Sequence, residues 1–178
     1  MLVKELDDQI KNDIRFSGFI NSFKESDLYT IDFESLYNEL KNSHVTRQIR
    51  LISTEDILRN TTSVINALRE NQAKRSYCVE VKLTIQKRKM LLESNIESIS
   101  LYIRKKFQTL INSTFSNQTD KTSYIKSLFD DMQETLNNYN TLISFCDVVI
   151  DDIDHTYWTY KSIIDCIKIT DEAKHINI

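Results

Sequence analysis

Residues 125–167 read IKSLFDDMQETLNNYNTLISFCDVVIDDIDHTYWTYKSIIDCI, and their apolar side chains recur by alternating steps of four and three. Ile125, Phe129, Met132, Leu136, Tyr139, Ile143, Cys146, Ile150, Ile153, Tyr157, Tyr160, Ile164 and Ile167 all keep that spacing. A period of 3.5 against the 3.6 residues of a helical turn holds one stripe toward a neighbouring helix, the seam of a coiled coil. Leu128, Leu142, Val149 and Ile163 widen the stripe on one flank. One partner helix cannot cover so broad a face, so the pattern predicts bundling within the chain plus self-association. Leu136, Tyr139, Ile143, Cys146, Ile150, Ile153, Tyr157, Tyr160 and Ile164 are the residues expected to carry oligomerisation.

Upstream the chain stays helical in character. One glycine (Gly18) and no proline in 178 residues leave little to punctuate strands or hairpins. The expected fold is all-α: long antiparallel helices forming a bundle or coiled coil, with short N-terminal helices, in a single domain over residues 1–178. Residues 1–52 supply the short helices. Leu2, Leu6, Ile10 and Ile14 make one stripe, Phe16 to Phe23 form an irregular stretch or second short helix, and Asp32 can cap a third over 33–42. Residues 43–52 are ambiguous. Ser53-Thr-Glu-Asp56 reads as the start of a long basic helix over 53–112. Unbroken, it would run roughly 85–90 Å, so a bend or break is expected inside it. The polar stretch 113–123 reads as a turn before an acidic helix over 124–172.

Charge is segregated along this chain. Residues 1–43 sum to −4, residues 44–126 to +8 and residues 127–178 to −7, for a formal net charge of −3. The densest basic run is Lys74, Arg75, Lys82, Lys87, Arg88 and Lys89, opposed only by Glu80. Continuing the seam spacing through the long helix puts Arg75, Lys82 and Lys89 on seam positions seven apart, in a line of about 21 Å. Cations are not buried there unpaired, so the line opens to solvent or meets something anionic. The six basic residues are the candidate contacts for a polyanion, binding phosphates without base specificity, with Tyr77 and Tyr102 as stacking faces. The competing reading is a charged helix surface paired with the acidic C-terminal helix. If carboxylates of the same chain neutralise Arg75, Lys82 and Lys89, the nucleic-acid reading loses its ground.

Nothing else points to chemistry. Cys78, Cys146 and Cys166 form no CxxC pair, Cys78 and Cys146 fall on the seam as small apolar fillers, and a reducing interior compartment suits them. Asp151 and His155, one turn apart, could share a metal but read better as a solvated face. There is no phosphate-binding glycine loop, nucleophile elbow or zinc motif. The expectations are no enzyme activity, no cofactor, no metal site, no signal peptide, no membrane span and a cytoplasmic location.

The order of these parts resembles the UvsY family of phage recombination mediators. The likeness rests on the opening Leu2-Val-Lys-Glu-Leu-Asp-Asp-Gln-Ile-Lys-Asn-Asp13 and on the central Thr84-Ile-Gln-Lys-Arg-Lys-Met-Leu-Leu92. It extends to Leu142-Ile-Ser-Phe-Cys-Asp-Val-Val-Ile-Asp-Asp-Ile153, followed by Lys161 and Ile164. The resemblance implies a ring-like homo-oligomer built through the C-terminal helix. Such a ring would bind single-stranded DNA and help load a RecA-like recombinase in place of a single-strand DNA-binding protein. The alternative is a structural or adaptor bundle, such as a virion or scaffold component, with no nucleic-acid role.

Overall fold

The computed structural model describes residues 2–26, 32–45 and 61–176, and every regular element among them is a helix. In chain order these are α1 (Leu2–Lys11), α2 (Ile14–Glu25), α3 (Phe33–Val45), α4 (Thr61–Lys106), α5 (Gln108–Thr114), α6 (Gln118–Ser127) and α7 (Asp130–Ile176). The all-α expectation holds. The helix start expected at Ser53–Asp56 lies outside the described residues.

Local chemistry sets the boundaries. Asp13 caps α2, its carboxylate accepting the N–H groups of Arg15 and Phe16 at 3.0 Å each. Gly18 sits inside α2, with nothing within 4 Å of where a Cβ would stand. The break expected in the long basic helix falls at Phe107, whose φ of −103° and ψ of 19° leave helical geometry for one residue.

Two boundaries differ from the sequence reading. The stretch 113–123 is not one turn, because only residues 115–117 separate α5 from α6. Asn117 caps α6 by accepting the Asp120 N–H at 2.7 Å, so residues that read as a turn by composition start a helix. The acidic helix begins at Asp130 rather than 124, after a break at Leu128 and Phe129 where the Phe129 N–H bonds back to the Lys126 carbonyl. Phe107 and Phe129 are both buried. The two breaks thus place large aromatic side chains in the core, although neither site has a glycine or proline to signal it.

The chain groups into two compact units, and α4 and α7 contribute to both. The first comprises Met1–Phe33 and Ile85–Thr141. Its core holds Leu6, Ile10, Leu92, Ile103, Met132 and Tyr139, all at most 2% exposed. Phe129 packs edge to face with Phe16 and Phe19, with centroids 6.0 and 6.3 Å away. Asp13 ties α2 to the end of α4, accepting the Tyr102 hydroxyl at 3.1 Å and forming an ion pair with Lys106.

The second unit comprises Glu34–Thr84 and Leu142–Ile178. Leu40, Cys78, Leu142 and Cys146 are its most deeply buried apolar side chains, and Val64, Ala67 and Tyr160 cluster with Leu68 beside them. Tyr37 packs on Phe145 at 5.1 Å, and the Tyr77 hydroxyl donates to Glu39 at 2.5 Å, so α3 is fastened to both long helices. The expectation that Cys78 and Cys146 act as small apolar fillers agrees with their burial.

The seam of α7 departs from its sequence pattern in this unit. Leu142, Cys146, Val149, Ile153 and Tyr160 are buried, Ile143 and Ile150 only partly so, and Tyr157 is exposed. The buried face has rotated onto the Leu142–Val149 flank. Here α4 meets α7 with Arg75 and Lys82, whose heads reach Asp154 and Asp147. Apolar positions alongside those ion pairs stay wet, and the flank away from them enters the core.

Candidate functional site

On α4 the buried positions repeat every seven residues: Asn71, Cys78, Ile85, Leu92 and Ile99. Alternating with them, Arg75, Lys82 and Lys89 keep side-chain exposures of 37%, 27% and 28%. Their stems cover apolar surface while the charged heads reach the edge of the helix contact. Arg75 grips Asp154 through two bonds, Nε to Oδ1 at 2.8 Å and Nη2 to Oδ2 at 3.1 Å. Lys82 donates to Asp147 at 2.5 Å. Lys89 sits 3.7 Å from Glu93, one turn along the same helix. The Asp154 hydrogen bond, followed by its charge, raises the Arg75 pKa further above its ordinary value.

All three seam cations therefore meet carboxylates of their own chain, the condition under which the stripe no longer argues for a polyanion. The partners come from the acidic segment for Arg75 and Lys82, so charge segregation in the sequence becomes charge matching inside the second unit. Each pair is partly exposed, where an ion pair contributes about 0–1 kcal/mol. Of the remaining candidates Lys74 is half-buried, Lys87 exposed and Arg88 half-buried; neither Lys87 nor Arg88 forms an ion pair among the described residues.

The expected stacking faces are engaged elsewhere. Tyr77 donates to Glu39. The Tyr102 ring carries the Arg15 guanidinium 4.6 Å above its centre, and its hydroxyl is bound to Asp13. The oligomerisation set fares similarly: Leu136, Tyr139, Cys146, Ile153 and Tyr160 are buried in the chain's own units, and Ile143, Ile150 and Ile164 are half-buried. Tyr157, 51% exposed, is the most open member of the set. Much of the seam is used for packing within the chain.

Two concave sites escaped the sequence reading. In the first unit a cavity of about 260 Å³ sits where α4, α5 and α6 meet. Arg104, Lys105 and Lys121 line it with the amides of Gln108, Asn112 and Gln118, over a floor of Ile111 and Ile125. No carboxylate lines it. Lys106 turns instead to Asp13, and Lys121 donates to Asn112 at 2.7 Å.

In the second unit a pocket of about 330 Å³ lies between α4 and α7, walled by Leu68, Asn71, Arg75, Ile153, Tyr157 and Trp158. Neither site follows a sequence motif, since each joins residues from separate helices. Asp151 and His155 are exposed or at the surface of α7, and no group of three or more metal-ligating side chains occurs among the described residues. No helix among the described residues is long and apolar enough to cross a membrane. No protein-family model, curated protein or solved structure matches the chain.

Proposed function

We propose that this chain is a non-enzymatic helical-bundle protein that works by association, as a structural or adaptor component that assembles with copies of itself. The observation carrying this reading is the pairing of Arg75 with Asp154 and of Lys82 with Asp147. It makes the basic stretch a device for aligning α4 on α7 rather than an open polyanion track. Uncovered apolar side chains on α4 of the first unit add support: Met90, Leu91 and Leu101 are 69%, 43% and 51% exposed. Large apolar groups left wet on one helix favour a protein partner. Sedimentation velocity on the full chain tests the reading. An oligomer that Met90→Lys with Leu101→Lys dissociates is expected, and a concentration-independent monomer would exclude it.

A second reading, the single-stranded-DNA-binding recombination mediator, is favoured by the carboxylate-free cavity of Arg104, Lys105 and Lys121 and by Lys87 and Arg88, which form no ion pair among the described residues. It moves the phosphate contacts off the seam, onto cations with no competing acid in the cavity. In this reading an assembly of weakly binding subunits gains affinity by multivalency and hands the strand to a RecA-like recombinase in place of a single-strand DNA-binding protein. Retention of an unstructured oligonucleotide should fall steeply with salt and disappear in Arg104→Glu with Lys121→Glu. Retention that survives both variants would rule this placement out.

A further inference from the structure

Among the described residues, Asn71 is a buried polar side chain whose burial neither the bundle nor either reading accounts for. It is 6% exposed, it lies on the buried row of α4, and its side-chain amide has no hydrogen-bond partner among the described residues. A buried amide without a partner is costly, and native folds nearly always satisfy one. Asn71 borders the 330 Å³ pocket in the second unit, which is at the small end of ligand-sized cavities. Leu68 and Ile153 give that pocket apolar walls. Tyr157 and Trp158, 51% and 57% exposed, bring aromatic rings to its mouth, packed edge to face at 5.7 Å. Lys161 lies over the indole at 4.9 Å and is not part of the lining.

The geometry points to a binding pocket for a nucleobase, with the ring stacked against Trp158, the near-perpendicular Tyr157 ring beside it, and its edge bonded to the Asn71 amide. Three properties of the site select this ligand class. Aromatic rings hold a flat heteroaromatic by stacking. An asparagine amide offers one donor beside one acceptor, the complement of the N6 and N7 edge of adenine. A volume of about 330 Å³ admits a base and its sugar but not a long chain. Arg75 and Asp154 also line the pocket, bonded to each other as an ion pair. The inference stands apart from both readings above, because a free nucleoside can fill the pocket whether or not the chain oligomerises or retains a strand.

Trp158 is the chain's only tryptophan, so its fluorescence reports on the site directly. Adenosine monophosphate is titrated into the full chain, beside thymidine monophosphate, ribose 5-phosphate and a short oligodeoxyadenylate. Saturable quenching by adenosine monophosphate is expected, at least tenfold tighter than by thymidine monophosphate and absent with ribose 5-phosphate. Tighter quenching by the oligonucleotide assigns the natural source to a strand, and equal quenching assigns it to a free nucleotide. Asn71→Leu, which removes the unsatisfied amide and should stabilise the fold, is expected to weaken binding at least tenfold. Chemical-shift changes at the Asn71 side-chain amide of the unaltered protein provide a second readout. Absence of saturable quenching, quenching unchanged in Asn71→Leu, or quenching that follows protein concentration alone would overturn the proposal.

Discussion

Replacing Asp13 by alanine should be among the most damaging single changes in the first unit. Its carboxylate accepts two backbone N–H groups at the start of α2, the Tyr102 hydroxyl and the Lys106 ammonium, while the residue is only 6% exposed. Loss of a helix cap costs about 0.5–2 kcal/mol. A part-buried tyrosine hydroxyl left without its acceptor adds about 1–3 kcal/mol. The Lys106 head is solvated enough to find water, so the expected loss is about 2–4 kcal/mol. For a chain of this length that lowers Tm by roughly 5–12 °C. Asp13→Asn keeps one oxygen to cap α2 but puts an amide NH2 where the second oxygen accepts from Tyr102 and Lys106, so it should fall between alanine and the parent.

The acid side of the stability curve supplies an independent check. Burial pushes the Asp13 pKa up, but hydrogen bonds from Lys106, the Phe16 N–H and Tyr102 outweigh it and hold the group below its ordinary 3.8. Folding thus favours the ionised form. Its contribution is complete above roughly pH 5, shrinks as pH falls below the unfolded value, and is gone below the folded one. Thermal or urea unfolding followed by circular dichroism from pH 7 down to pH 3 should show the Asp13→Asn deficit narrowing across that window. An alanine variant within about 0.5 kcal/mol of the parent at pH 7 would refute the network's importance, as would an unchanged deficit at pH 3.

Three further outcomes follow. Leu142→Ala should cost about 3 kcal/mol and Tyr157→Ala less than about 1 kcal/mol, since Leu142 is fully buried and Tyr157 half exposed; equal losses in urea denaturation would mean that the buried face of α7 has not rotated. A thiol reagent at pH 8 should modify one cysteine quickly in the native chain and three in urea. Cys166 is exposed, Cys78 and Cys146 are buried, and burial pushes the Cys146 thiol up to about 11. Two fast thiols would contradict that burial. Arg75→Glu should cost about 0.5–1 kcal/mol, discounted for its exposure, and Asp154→Arg in the same chain should restore most of it; no rescue would show that the pair is not a coupled contact.

Helical class and the limits of several helices were legible because they depend on local information. Periodicity at 125–167, the scarcity of glycine and proline, and cap residues such as Asp13 act within a few positions of one another. Phe107 and Phe129 escaped notice as break points because burial of a ring, not a local breaker, places them. The same holds for the candidate site. The basic run was plain to read, yet its meaning turned on Asp147 and Asp154, 65 and 79 residues away along the chain.

The sequence alone therefore determined that this is a helical chain with two long amphipathic elements and a sign change of charge between them. Only the tertiary structure decided which face of α7 is buried, which carboxylate answers each seam cation, and that Asn71 is left beside a pocket. Periodicity states how many apolar residues share a face. It does not state what stands opposite them, and the energy of a charge or a buried amide depends on that neighbour.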